Sequence, residues 1–134
     1  MVLPGMQALF GFQLVAVFNR RFNETLTAGE QQVHYLALIL VAASIVVVMA
    51  PAAYHRQVGP GRITDRFLVV ATRLLLLGLW PLAVALGLDI YLIGRIILHN
   101  AIAAVAGAGI VVWAFALWFV LPRRDRGYGR DEHA

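Results

Sequence analysis

The sequence predicts an all-α fold, an integral membrane bundle of four transmembrane helices. Of its 134 residues, 61% are apolar and only 13% are charged, whereas a soluble domain is about half apolar and about a quarter charged. The apolar residues form four runs, at about 3–19, 33–53, 67–88 and 101–121. Helix is favoured for these runs because unpaired backbone cannot face lipid, and no period-two alternation indicates a barrel.

The first run, residues 3–19, is short for a membrane span, because a helix needs about 17 to 25 residues to cross the hydrocarbon core. A signal peptide carries its positive charge before the apolar stretch and ends in small residues. Here Arg20 and Arg21 follow the run instead. We therefore expect this segment to stay in the mature protein as a short spanning helix.

The second and third runs, 33–53 and 67–88, are long enough to span a bilayer. Thr27 stands three residues before Glu30 in the polar connection ahead of the second run, and this spacing predicts a capping box at a helix start. The sequence VGPGR separates the two runs. It predicts a turn, because Gly-Pro-Gly cannot continue a helix.

The fourth run, 101–121, begins with small residues. Ala103 and Gly107 are four residues apart, as are Ala104 and Ala108, and small residues at this spacing let helix backbones approach closely. The pattern predicts tight helix packing, and we expect the protein to form a homo-oligomer. Residues 122–134 are polar and predict a cytoplasmic tail after the transmembrane domain of residues 1–121.

The distribution of arginine predicts the orientation in the membrane. With four spans, one side would carry Arg56, Arg62, Arg66, Arg123, Arg124, Arg126 and Arg130, and the other Arg20, Arg21 and Arg95. Cytoplasmic loops carry the excess of basic residues. We therefore expect a multi-pass protein of the inner (plasma) membrane with both termini in the cytoplasm.

Several classes of function are disfavoured. The net charge of +4 does not indicate nucleic-acid binding, because the arginines flank apolar runs, where they set topology and contact anionic lipid. The chain has no cysteine and none of the common catalytic or phosphate-binding motifs. His34 and His55 lie toward opposite ends of the second run, too far apart to share one metal ion. We expect no enzymatic activity, no cofactor and no metal site.

Four polar residues at or near lipid depth form a candidate ion path: Gln7, Gln13, Arg73 and Asp89. A charge at the centre of a membrane helix costs about 2.5 to 3.5 kcal/mol, so each needs an explanation. The two glutamines point in different directions around a helix, which favours hydrogen bonds to neighbouring helices over a pore wall. Arg73 either snorkels to the headgroups or supplies a fixed positive charge.

Asp89 ends the third run at the level where Arg20 and Arg21 follow the first. Two interpretations are open. Asp89 forms an ion pair with one of these arginines, or it attracts cations at the outer mouth of a path, where a carboxylate raises the local cation concentration.

Four stretches resemble a family of small bacterial membrane proteins catalogued as a domain of unknown function, DUF6328. They are LPGMQALFGFQLVAVFNRRF, MAPAAYHR, LGLDIYLIGRIIL and LWFVLP, and together they touch all four runs. The resemblance implies a four-helix layout and a bacterial origin, and it implies no established activity.

Two functions from different classes are left open. The protein is an oligomeric ion channel or transporter-like protein that passes a small ion, or it is a structural or regulatory membrane subunit with no transport activity. In the second case the same polar residues merely join helices. Convergence of these residues on a cavity would favour the first function.

Overall fold

The computed structural model describes residues 2–58, 65–98 and 101–121, and this part of the chain consists of helices and short turns. The helices are α1 (Val2–Val17), α2 (Phe22–Thr25), α3 (Ala28–Val58), α4 (Asp65–Leu98) and α5 (Ile102–Phe115), followed directly by a π-helical segment, Ala116–Val120. The predicted tail lies outside the described residues, as does most of the predicted VGPGR turn. The fold class is confirmed as all-helical.

The long helices extend beyond the apolar runs that predict them. The capping box ahead of α3 is confirmed: the Thr27 N–H donates to Glu30 Oε2 at 2.9 Å, and the Glu30 N–H donates to Thr27 Oγ1 at 3.3 Å. Helix α4 continues ten residues past Leu88 to Leu98. Its 34 residues correspond to about 51 Å at 1.5 Å per residue, more than the roughly 30 Å of a hydrocarbon core.

Within the part of the chain that the structure describes, three helices are long and apolar enough to cross a membrane: Ala28–Gln57, Asp65–Leu98 and Ile102–Val120. Only 17% of the most apolar window of each is buried within the protein, so most of their apolar side chains face outward. Helix α1 is shorter, with 16 residues or about 24 Å, so the described residues hold three or four candidate spans. This outward-facing apolar surface is compatible with a multi-pass membrane protein.

Helices α3 and α4 pack closely along the middle of the bundle. Ser44 of α3 is fully buried, and its hydroxyl donates a hydrogen bond to the backbone carbonyl of Gly78 on α4. A Cβ at Gly78 would lie 2.7 Å from Val48 Cγ2, so only glycine permits this approach. Two buried apolar clusters complete the core: Met6, Val48 and Leu82 form one, and Ala37, Val41 and Ala85 form the other.

Helix α5 packs against the second half of α4 through small residues. A Cβ at Gly107 would lie 2.6 Å from the Gly87 carbonyl oxygen, and one at Gly94 would lie 2.8 Å from Ala103 Cβ. These contacts leave no room for larger side chains. The predicted small-residue packing of α5 is therefore found within the chain, at Ala103 and Gly107.

Candidate functional site

Gln13 joins helix α1 to helix α4 inside the bundle. Its side chain is 5% exposed, and its Nε2 donates a hydrogen bond of 2.7 Å to Asp89 Oδ2. The bond links residues 76 positions apart in the chain. Gln13 therefore bonds to a neighbouring helix, as the sequence favoured, and Asp89 is held by a neutral amide.

This arrangement corrects the expected ion pair between Asp89 and Arg20 or Arg21. Both arginines lie in the turn after α1 and are exposed, whereas Asp89 is partly buried. Gln13 precedes them by two helical turns, within α1, and faces α4. An exposed guanidinium gains little by leaving water for a buried partner. The Gln13 amide, and not an arginine, is therefore the hydrogen-bond donor to Asp89.

His34 brings helix α3 to the same point. It is 8% exposed, and its Nε2 lies 3.1 Å from the backbone carbonyl oxygen of Gln13. A carbonyl only accepts hydrogen bonds, so the imidazole donates through Nε2. The ring also contacts Phe22 of α2 edge to face, with the centroids 5.2 Å apart. Gln13, His34 and Asp89 thus form one polar cluster, in which α1, α3 and α4 meet.

Two acceptor atoms in the polar cluster lack a partner among the described residues. Gln13 Oε1 is buried and accepts no hydrogen bond. Asp89 receives its one side-chain hydrogen bond at Oδ2, which leaves Oδ1 without a donor from this part of the chain. For the buried Gln13 Oε1 the missing donor costs about 1 to 3 kcal/mol, whereas Asp89 Oδ1 is not among the buried unpaired atoms. The polar cluster therefore offers hydrogen-bond acceptors to a donor from outside the chain.

A pocket of about 400 Å³ opens beside the polar cluster. Gln13, His34 and Asp89 all line it, and Arg21 and Asn19 line it from the turn after α1. Its remaining walls are mainly apolar, with Leu9, Phe12, Phe22, Leu92, Ile93 and Ile96 among them. The pocket is lined by the carboxylate residue Asp89, by Gln13 with its buried amide oxygen, and by an apolar wall.

A second cavity of about 340 Å³ shares Thr25 and Ile96 with this pocket. It holds an ion pair between Arg95 Nε and Glu30 Oε1, 3.4 Å apart. The pair connects the start of α3 to the last turn of α4. The sequence does not predict this pair, because Arg95 lies beyond the third apolar run, 67–88.

The other residues of the candidate ion path lie elsewhere. Gln7 is exposed on α1, and Arg73 is exposed on α4, sixteen residues or about 24 Å from Asp89. The exposure of Arg73 is compatible with snorkelling. The structure thus brings together Gln13 and Asp89, and it leaves Gln7 and Arg73 outside the site.

The small residues of α5 divide between two faces. Ala103 and Gly107 are buried against α4, whereas Ala104 and Ala108 are exposed.

Within residues 2–58, 65–98 and 101–121 there is no group of three or more His, Asp or Glu side chains arranged to hold a metal ion. The polar cluster at Asp89 is therefore the site to which a function can best be attached.

The comparisons with known proteins give a family and no activity. No curated protein and no solved structure matches the chain. A family model described as a family of unknown function, DUF6328, matches residues 1–122, which include every helix described above. The chain therefore belongs to the DUF6328 family.

Proposed function

We propose that the chain is a multi-pass protein of the bacterial inner membrane, with both termini in the cytoplasm, and that it moves a small cation across the membrane. Asp89 and Gln13 form the cation site. The observation that carries this proposal is the partner of Asp89, a neutral amide at 2.7 Å and not an arginine. An ionised carboxylate in apolar surroundings is costly until a cation neutralises it.

The depth of Asp89 supports an intramembrane role. Asp89 lies about seven residues beyond the middle of α4, which is about 11 Å along the helix axis. Asp89 also directly follows the apolar run 67–88, so the carboxylate lies near the edge of a hydrocarbon core of roughly 30 Å. Ionisable groups at such depth are rare, and they mark ion paths and proton relays.

The donor set favours a cation that needs few ligands. Calcium takes six to eight oxygen ligands and magnesium requires a near-ideal octahedron. Asp89 and Gln13 provide oxygen ligands from two side chains. Among the described residues, no further acidic side chains complete a metal-binding group with them. A proton, an ammonium group or a partly hydrated monovalent ion suits this site better than a divalent metal ion.

The core beneath the site supports passage through an assembly and not through one chain. The apolar clusters of Ala37, Val41 and Ala85, and of Met6, Val48 and Leu82, fill the bundle toward its other end. A cation cannot cross this packed interior. We therefore place the path between copies in a homo-oligomer, on the side on which the pocket beside Asp89 opens. The exposed Ala104 and Ala108 permit a further close helix contact between copies.

The rival function is a structural or regulatory membrane subunit without transport. It is favoured by one observation: the bond from Gln13 to Asp89 attaches the short helix α1 to α4. Interhelical hydrogen bonds in membranes contribute about 0.6 to 2 kcal/mol. In this alternative the polar cluster only holds helices together.

Flux measurements on the purified protein in liposomes separate the two functions. We expect the wild-type protein to pass protons, sodium or potassium, and we expect Asp89→Asn to reduce that flux at least tenfold. Asp65→Asn is the matched control, because Asp65 is exposed in the first turn of α4, far from the polar cluster. Absence of flux in the wild-type protein, with calcium and chloride also tested, would leave the structural subunit as the function.

A further inference from the structure

We propose that the pocket beside Asp89 binds a protonated organic amine with an apolar or aromatic substituent, and that this amine and a proton compete for the same carboxylate. The proposal rests on the proposed cation site and names its substrate class. Amine binding is measured at equilibrium, so its outcome is independent of whether any cation crosses the membrane.

The polar end of the pocket matches an ammonium group. Among the described residues, the buried Gln13 Oε1 has no donor, and no cationic group lies within ion-pair distance of Asp89. An ammonium group brings both missing features, since it has a positive charge and several N–H donors. Charge-assisted hydrogen bonds of this kind are about twice as strong as neutral ones.

The walls of the pocket match an organic substituent. Phe12, Phe22 and Ile93 line it together with other apolar side chains, and aromatic rings attract cations through their faces. Its volume of about 400 Å³ is within the roughly 300 to 1,000 Å³ of small-molecule sites. A bare metal ion would use neither the volume nor the apolar walls.

Three ionisable groups from different elements face the pocket. They are Asp89 on α4, His34 on α3 and Arg21 in the turn after α1. Arg21 is exposed, so water and salt screen its charge. Asp89 is partly buried, and its charge acts through a lower dielectric. The carboxylate therefore dominates the recognition of a ligand, and a cation is preferred to an anion.

Competition with protons follows from the single carboxylate. The ammonium group pairs with ionised Asp89. A proton on Asp89 removes the negative charge that attracts the ammonium group. Amine binding to the protonated site therefore releases one proton to water. Affinity for the amine should fall as the pH is lowered, and the part of this dependence that comes from the carboxylate should disappear when position 89 cannot ionise.

A matched pair of probes tests the proposal in lipid nanodiscs. Binding of 1-naphthylmethylammonium is compared with binding of neutral 1-naphthylmethanol, which has the same apolar part and no charge. We expect the amine to bind at least tenfold more tightly at pH 8, which corresponds to about 1.4 kcal/mol, and this preference to shrink as the pH is lowered. Equal affinity for both probes would overturn the proposal.

Three variants locate the binding. Asp89→Asn should abolish the preference for the amine, because the asparagine oxygen still accepts the Gln13 hydrogen bond but carries no charge. Asp65→Asn should leave the preference unchanged. Arg21→Gln should leave amine binding equal or tighter, because a like charge is removed. Undiminished preference in Asp89→Asn, or weaker binding in Arg21→Gln, would refute a cation site at Asp89.

Discussion

Replacing Gly107 by alanine should separate α5 from α4. The added Cβ would lie 2.6 Å from the Gly87 carbonyl oxygen and 3.1 Å from Tyr91 Cβ, whereas ordinary van der Waals contact begins near 3.4 Å. The nearest obstacle is backbone, so no side-chain rotation relieves it, and the helices must separate by several tenths of an ångström. Overpacking of this kind costs about 1 to 3 kcal/mol, and we expect the free energy of unfolding in detergent to fall by this amount.

Gly109 provides the matched control two residues further along the same helix. A Cβ there meets no heavy atom within 4 Å, and alanine has a higher helix propensity than glycine by up to about 1 kcal/mol. Gly109→Ala should therefore leave stability equal or slightly higher. If both variants unfold at the same denaturant concentration as the wild type, the close contact between Gly87 and Gly107 does not exist.

Three further predictions concern orientation, the start of α3 and assembly. A reporter active only in the cytoplasm should function when fused after His133 and fail when inserted at Ala28; the opposite pattern would contradict the arginine count. Thr27→Ala should lower stability in thermal unfolding by about 1 kcal/mol, because it removes a helix cap, and an unchanged melting temperature would show that the cap contributes nothing. Ala108→Leu should reduce the oligomer size measured by light scattering, because the exposed face of α5 that carries Ala108 lies between copies in the proposed assembly. An unchanged mass would show that α5 is not part of the interface.

The sequence predicted features that depend on local chemistry. Thr27 and Glu30 are three residues apart, and a capping box requires only this spacing, so the start of α3 could be predicted. The sequence also shows that Asp89 directly follows an apolar run and that Gln13 lies within one. Both residues belong to the candidate ion path for this reason.

The partner of Asp89 could not be predicted, because an apolar run determines neither how far α1 extends along α4 nor how it is rotated. Arg20 follows α1, Gln13 lies about two helical turns before it, and the packing of α1 against α4 brings the Gln13 amide to Asp89. The pair of Glu30 and Arg95 was missed for a related reason. An apolar run indicates the part of a helix that lies in lipid, and α4 continues beyond that part to Leu98.

The most direct test of the cation site measures flux and stability on the same preparation of Asp89→Asn. The asparagine oxygen can accept the hydrogen bond from Gln13 Nε2, so the link between α1 and α4 is retained while the charge is lost. We predict that cation flux falls at least tenfold and that the melting temperature stays at the wild-type value. Undiminished flux together with a lower melting temperature would contradict the cation site and assign Asp89 to helix packing.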